Sequence, residues 1–399
     1  MEEIFIELLQ VIVGNRKELS IIPSADDWEA LYAIAMKQAM LGVCFYGVKQ
    51  LPVEQQPQGH RLRQWTGKTL RQQEKNKKVN QECAIVTELF VRGHYNTCVL
   101  KGQGNTCFYP EPLRMLRTPG DIDLWVVSQM NSDRAEDGSD VDRKRLVRGL
   151  WKLSHGRTDV ALHHAELNIF PKTPVEVHFQ PSFAVNPFMD RRFRHWFYAH
   201  RDCRVMTADR YYRPTRMFNL VFQLSHIYRH LLLEGVGFRQ LMDYYFLLVP
   251  SDSGSSADSL LLHEEREAVM RDIRYLGMSR VAGALMWIMR EVFAIKDEYM
   301  LCEPQEKYGR EMLEEVLAGG NFGHSFDKSE DGKPETMTKG RLQDNIRSWK
   351  RGLRLFFSYP SEAIWVPWLS VRGSFARNYW RRVSTNADDV SVKRTGSHQ

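Results

Sequence analysis

Between about Thr97 and Phe179 the apolar residues alternate with polar ones, while on either side of this stretch they recur every three or four positions. Alternation sends successive side chains to opposite faces of a strand, and three-to-four spacing draws one stripe along a helix. A chain ordered this way has to enclose a small sheet between helical stretches, which is an α+β arrangement. With 399 residues, 43 % of them hydrophobic, it has material for two or three domains with cores of their own, and a fibrous or disordered chain is excluded.

From Ile4 to about Tyr95 the pattern is helical, with Trp28, Leu31, Tyr32, Ala35 and Ala39 following a cap-like Ser24 and the acids Asp26 and Asp27. Strands are expected at Thr97–Leu100, Asp121–Val127, Asp159–His163, Glu166–Phe170 and Val175–Phe179, with a helix over Val141–Ser154 after a polar insertion around Asp133–Asp140. Helices are expected again at Met217–Leu233, Phe238–Leu248, Leu260–Leu276 and Val281–Phe293. The domain reading is therefore an N-terminal helical region (1–95), a mixed-sheet core (96–185), a helical domain (186–318), a flexible glycine-rich linker (319–340) and a C-terminal segment (341–399). That last segment is basic. From Arg341 to Gln399 there are 11 basic and 4 acidic residues, or +7, in a chain whose net charge is +6. It reads as a solvated terminus, with contact to a nucleic acid or an acidic partner as the alternative. The basic run from Arg61 to Lys78 reads as a solvated helix face.

Several chemistries fall away. Six scattered cysteines with no C-x-x-C pair make neither a disulfide scaffold nor a structural zinc site. No serine or cysteine sits in a nucleophile elbow, and neither G-x-x-x-x-G-K-[ST] nor G-x-G-x-x-G occurs, which removes hydrolase, kinase and dehydrogenase readings. Glu2, Glu3 and Glu7 stand where a secretory signal needs positive charge, and no apolar run reaches the roughly 18 residues of a membrane span, so a cytoplasmic location without membrane contact is expected. His226 and His230 share a helix face but lack the glutamate and third ligand of a zinc motif, and Arg239 with Asp243 reads as an ordinary helix pair.

One pattern carries chemistry. Asp121 and Asp123 interrupt an apolar strand and emerge on one face about 6.6 Å apart at the backbone, with Ile122 and Leu124 facing the core. Two like charges held side by side are favourable only where cations offset them, and hard oxygens select Mg²⁺ or Mn²⁺. In Val175-Glu176-Val177-His178-Phe179 the valines face one way, and Glu176 faces the other together with His178. Three carboxylates on neighbouring strands can hold two divalent ions roughly 3.5–4 Å apart, the clamp that phosphoryl displacement uses. Gly120 lets a backbone approach before the first aspartate, and Gly102 with Gly104 opens a loop whose N–H groups can meet phosphate.

These residues resemble a known group. Lys101-Gly102, Tyr109-Pro110, Arg117, Gly120-Asp121-Ile122-Asp123 and Glu176-Val177-His178 are similar to the uncharacterised nucleotidyltransferase family of the polymerase-beta superfamily. His226, Phe238–Asp243 and Gly319–Gly323 resemble further segments of it, so the likeness spans about residues 20–370. The resemblance implies a small mixed-sheet nucleotidyltransferase core flanked by N-terminal helices and a C-terminal helical bundle. Asp121 and Asp123 would bind the metals, and Glu176 would complete the site and serve as, or position, the base. Where the superfamily has Gly-Ser, this chain has Gly102-Gln103, so phosphate contacts are expected from Lys101, Arg117 and backbone N–H groups such as that of Gly102. The implied reaction moves a nucleoside monophosphate from an NTP to an acceptor hydroxyl, with a small molecule, a protein or a nucleic acid as acceptor. The alternative is a catalytically idle relative that binds a nucleotide or a partner.

Overall fold

The computed structural model describes residues 1–129, 140–154, 158–250, 261–319 and 337–373, together with 375, 376, 379, 380 and 383. The expected polar insertion (apart from Asp140), most of the linker 319–340, the serine-rich loop after Leu248 and the end of the C-terminal segment lie outside the described residues. In chain order the helices and strands begin with α1 (Glu2–Ile12), α2 (Ala25–Lys37), α3 (Leu41–Gln50), α4 (Gly59–Arg92), β1 (Tyr95–Val99), α5 (Gln103–Thr106) and α6 (Glu111–Arg114). Then come β2 (Ile122–Ser128), α7 (Asp140–Leu153), β3 (His164–Leu167), β4 (Val175–His178), α8 (Pro187–Ala199), β5 (Arg204–Met206) and β6 (Tyr212–Pro214). The chain continues with α9 (Arg216–Leu233), α10 (Phe238–Leu248), α11 (His263–Tyr275), α12 (Ser279–Phe293), α13 (Glu306–Gly319), α14 (Met337–Arg354) and α15 (Pro360–Ala363). The fold is α+β.

Two compact units divide the chain, each assembled from separate stretches. The first comprises Met1–Lys78, Asn105–Pro119 and Arg216–Pro360 and is helical. Its α2 starts where the sequence marks a start: Ser24 Oγ accepts the Asp27 N–H while Asp27 Oδ2 accepts the Ser24 N–H, a reciprocal cap that satisfies two otherwise orphaned donors. In α9 every residue from Phe218 to Leu232 is buried, as expected of a helix enclosed by others rather than lying on a surface. At the expected basic run, Arg61 and Lys68 of α4 lie over the Tyr32 ring, at 4.1 and 5.2 Å from its centroid, while Arg63, Arg71, Lys75, Lys77 and Lys78 are exposed.

The second unit comprises Val79–Gly104, Gly120–Thr215 and Ser361–Gln399. Its sheet has the order β1-β2-β4-β3, with β1 and β3 antiparallel to their neighbours and β2 parallel to β4. A parallel pair needs a crossover, and α7 lies on it. Val99, Ile122, Leu124, Val126, Val175 and Val177 from the strands form one core with Val79, Cys83, Val86 and Phe90 of α4 and Leu146, Val147 and Leu150 of α7. Burying one face of the sheet in this way leaves the alternate residues of β2 and β4 for the other face.

The strand expected at Asp159–His163 is reduced to a single bridge between Val160 and Ala165, and the next strand starts at His164, two residues earlier than expected. The reason is a tight reversal. Ala161 N–H donates to His164 O at 2.9 Å and Glu166 N–H to Asp159 O at 2.9 Å, so one short arm folds back on the other. The three-residue strands β5 and β6 pair only with each other, and sequence pattern did not anticipate them.

Candidate active site in the second unit

The site is built on the strand pair β2–β4. Their parallel register sets Asp123 opposite Glu176 and Trp125 opposite His178, so the face turned away from the valines carries an aspartate, a glutamate and a histidine together. Asp123 is 2 % exposed, and its Oδ1 accepts from His178 Nε2 at 2.9 Å and from Lys101 Nζ at 2.7 Å. Lys101 reaches it because the Leu100 N–H donates to Asp123 O at 2.9 Å, carrying the β1–β2 pairing one residue past the strand end. Glu176 Oε2 lies 3.4 Å from His178 Nε2 and 3.6 Å from His164 Nδ1. Asp121 precedes β2 and completes the acid set.

The electrostatics follow from this crowding. Repulsion by Asp123 and, secondarily, burial push the Asp121 carboxyl up to about 6, against which Lys101 pulls. Asp123 itself is held well below the usual range: burial opposes its charge, but the Lys101 ammonium and the His178 hydrogen bond outweigh it. Glu176 is lowered as well, because the His178 hydrogen bond and the charge of His164 overcome burial and the repulsion of Asp123. His178 is raised, since its bonds to Asp123 and Glu176 outweigh its burial. Asp123 and Glu176 thus share one spot, with Asp121 near enough to feel the charge of Asp123 and with Lys101, His178 and His164 as the positive partners named here, a donor set suited to a divalent cation. Among the described residues, Asp123, Glu176 and His178 also form a group whose ligand atoms lie within 4.8 Å of one another.

The glycines divide. Gly102 has φ +54°, a left-handed turn that glycine adopts without strain. Gly104 packs so closely on β1 that a Cβ would stand 2.1 Å from Val99 O, and its N–H is already donated to Lys101 O at 2.9 Å. The phosphate contact expected of that N–H is thereby corrected: the bond closes the turn. A Cβ at Gly120 would meet no described atom within 4 Å, so packing does not require glycine there. Gln103, beside Gly102, is buried and donates its amide to Asn80 Oδ1.

A family model described as "uncharacterised nucleotidyltransferase" matches residues 24–294, about two thirds of the chain. The chain belongs to this nucleotidyltransferase family. No curated protein and no solved structure matches it.

Within this nucleotidyltransferase, Arg117 holds a carboxylate. It belongs to the first unit, where it is 5 % exposed, and it grips Asp243 of α10 through two bonds of 2.7 Å, Nε to Oδ1 and Nη2 to Oδ2. Its Nη1 donates to Thr118 O at 3.2 Å, and Tyr109 and Asn105 donate to the same carboxylate at 2.7 and 3.1 Å. This is a buried fork-to-fork pair, and Asp243, read as an i,i+4 helix partner of Arg239, is its anchor. His226 and His230 are also in the first unit, and their Nε2 atoms lie 2.9 Å apart in a buried hydrogen-bonded pair, with Glu234 at 2.6 Å from His230 Nδ1. Sequence reasoning noted His178 but gave it no role. The signal was present, because two residues along a strand from Glu176 means the same face.

Among the described residues no helix is long and apolar enough to cross a membrane.

Proposed function

We propose that the protein transfers a nucleoside monophosphate from a nucleoside triphosphate to an acceptor hydroxyl, with release of pyrophosphate. The observation that carries this reading is the register of β2 and β4, which sets Asp123 beside Glu176, with Asp121 close enough that Asp123 dominates its titration. The donor set fits Mg²⁺ or Mn²⁺, held by Asp121, Asp123 and Glu176. When bound, such ions supply charge neutralisation and in-line orientation for the triphosphate.

The remaining work belongs to the chain's own groups. Asp123, ionised through Lys101 and His178, stays an oxygen donor at any ordinary pH. Glu176, also ionised, takes or positions the proton of the acceptor hydroxyl as that oxygen attacks the α-phosphorus and the bond to pyrophosphate breaks. Gly102, in its left-handed turn, and Lys101 stand next to the acids and are the groups proposed to meet the phosphates, with Gly120 as an open approach beside Asp121. Arg117 is proposed to hold Asp243 instead.

The test is incubation of the full chain with α-labelled triphosphates and Mg²⁺ or Mn²⁺ in the presence of candidate acceptors, comparing wild type with Asp121→Asn/Asp123→Asn. Label transfer and pyrophosphate release in the wild type alone support the reading. Equal labelling in both removes it.

A further inference from the structure

Next to the carboxylates lies a cluster that nucleotidyl transfer does not require. His163 and His164, at the reversal before β3, bring their rings to 4.6 Å from each other and to 5.2 and 5.3 Å from the ring of His178 on β4. A ring nitrogen from each of the three lies within 4.8 Å of the others. His178 is 1 % exposed and His163 9 %.

The distances decide what this cluster can be. His163 Nε2 lies 3.4 Å from His164 Nδ1, His164 Nδ1 lies 3.6 Å from Glu176 Oε2, and that oxygen lies 3.4 Å from His178 Nε2. Good hydrogen bonds between such atoms run at about 2.7–3.2 Å, so these three contacts are long for that purpose. Two ligands of one tetrahedral zinc ion, each about 2.0–2.1 Å from the metal, stand about 3.3–3.4 Å apart, and these three of the six ligand–ligand edges in a four-ligand site come within about 0.3 Å of that. Imidazole nitrogens also select against Mg²⁺ and in favour of first-row transition ions.

We propose that His163, His164 and His178, with Glu176 as the fourth ligand, form a binding site for a transition-metal dication of the Zn²⁺ class. Binding exchanges the His178 Nε2–Asp123 hydrogen bond for a metal bond, and Lys101 continues to neutralise Asp123. The site shares Glu176 with the proposed nucleotidyl-transfer centre but does not depend on that activity.

The experiment uses the full chain, stripped with a chelator and titrated with Co²⁺ as a spectroscopic stand-in for Zn²⁺. The expected result is one equivalent of Co²⁺ with visible d–d absorption, displaced by stoichiometric Zn²⁺ but not by a hundredfold excess of Mg²⁺. His164→Gln and, separately, His163→Gln should weaken Co²⁺ binding at least tenfold, with unchanged far-ultraviolet circular dichroism. Because the wild-type arm needs no variant, a misfolded substitution leaves the test intact. Absence of d–d absorption in the wild type, displacement by Mg²⁺, or wild-type affinity in both folded variants would overturn the site. None of these results bears on label transfer with Mg²⁺, so the two proposals fail separately.

Discussion

Replacing Asp243 with alanine tests whether Arg117 is a structural residue. The guanidinium and carboxylate are 5 % and 3 % exposed and joined by two 2.7 Å bonds, and Tyr109 adds a third of the same length. Taking one member from a buried pair leaves the other charge uncompensated, a cost of about 3–5 kcal/mol. The orphaned Tyr109 hydroxyl adds about 1 kcal/mol. Asp243→Ala should therefore lower the free energy of urea unfolding by about 4–6 kcal/mol, and Arg117→Leu, which leaves the Tyr109 bond in place, by about 3–5 kcal/mol. The double variant Arg117→Leu/Asp243→Leu, which leaves no lone charge, should lose at least about 2 kcal/mol less than the sum of the single effects. The assay is unfolding followed by circular dichroism, with linear extrapolation to water. Single effects under about 1 kcal/mol, or strict additivity, would refute the structural reading. Weakened triphosphate binding in an Arg117→Lys variant of wild-type stability would return Arg117 to the phosphates.

Three further outcomes follow from the geometry. Because Asp121 titrates at about 6, a proton competes with a cation for it, and Mn²⁺ affinity measured by electron paramagnetic resonance should fall about tenfold per pH unit below 6 and level off above 7; a flat profile from pH 5 to 8 would contradict the repulsion assigned to Asp123. Glu362 is pushed up to about 7 by burial, although it accepts the Asn186 N–H at 2.8 Å. The folded state therefore binds its proton more tightly than the unfolded chain does, and stability is lost as pH rises from about 4.5 to 7; in urea titrations Glu362→Gln, which keeps an acceptor, should be more stable than wild type at pH 8 by up to about 3 kcal/mol and match it at pH 4. Gly104→Ala drives a Cβ into Val99 O and should destabilise by about 1–3 kcal/mol in urea titrations, whereas Gly120→Ala should stay within about 0.5 kcal/mol and lower triphosphate affinity instead.

The alternation around the acids was legible because it is strict along a strand: the residues of β2 and β4 that face away from the valines include Asp123 and Glu176, which the register sets opposite each other. The helix start at Ser24 was legible for the same reason, since a cap is a four-residue event. What the chain hid depends on distance. Arg117 and Asp243 are 126 residues apart, and no local pattern pairs them. The convergence of His163 and His164 on His178 depends on a tight reversal whose hydrogen bonds override the apparent strand at Asp159–His163. Which stretches join which compact unit is likewise set by contacts remote in sequence.

The central claim is that the carboxylates of β2 and β4 bind triphosphate through a divalent cation. Calorimetric titration of a non-hydrolysable triphosphate, with and without Mg²⁺, into wild type and Asp121→Asn/Asp123→Asn measures it directly. Binding that requires Mg²⁺ and disappears in the variant is predicted; binding of equal strength without the metal, retained when both aspartates are neutralised, would contradict it.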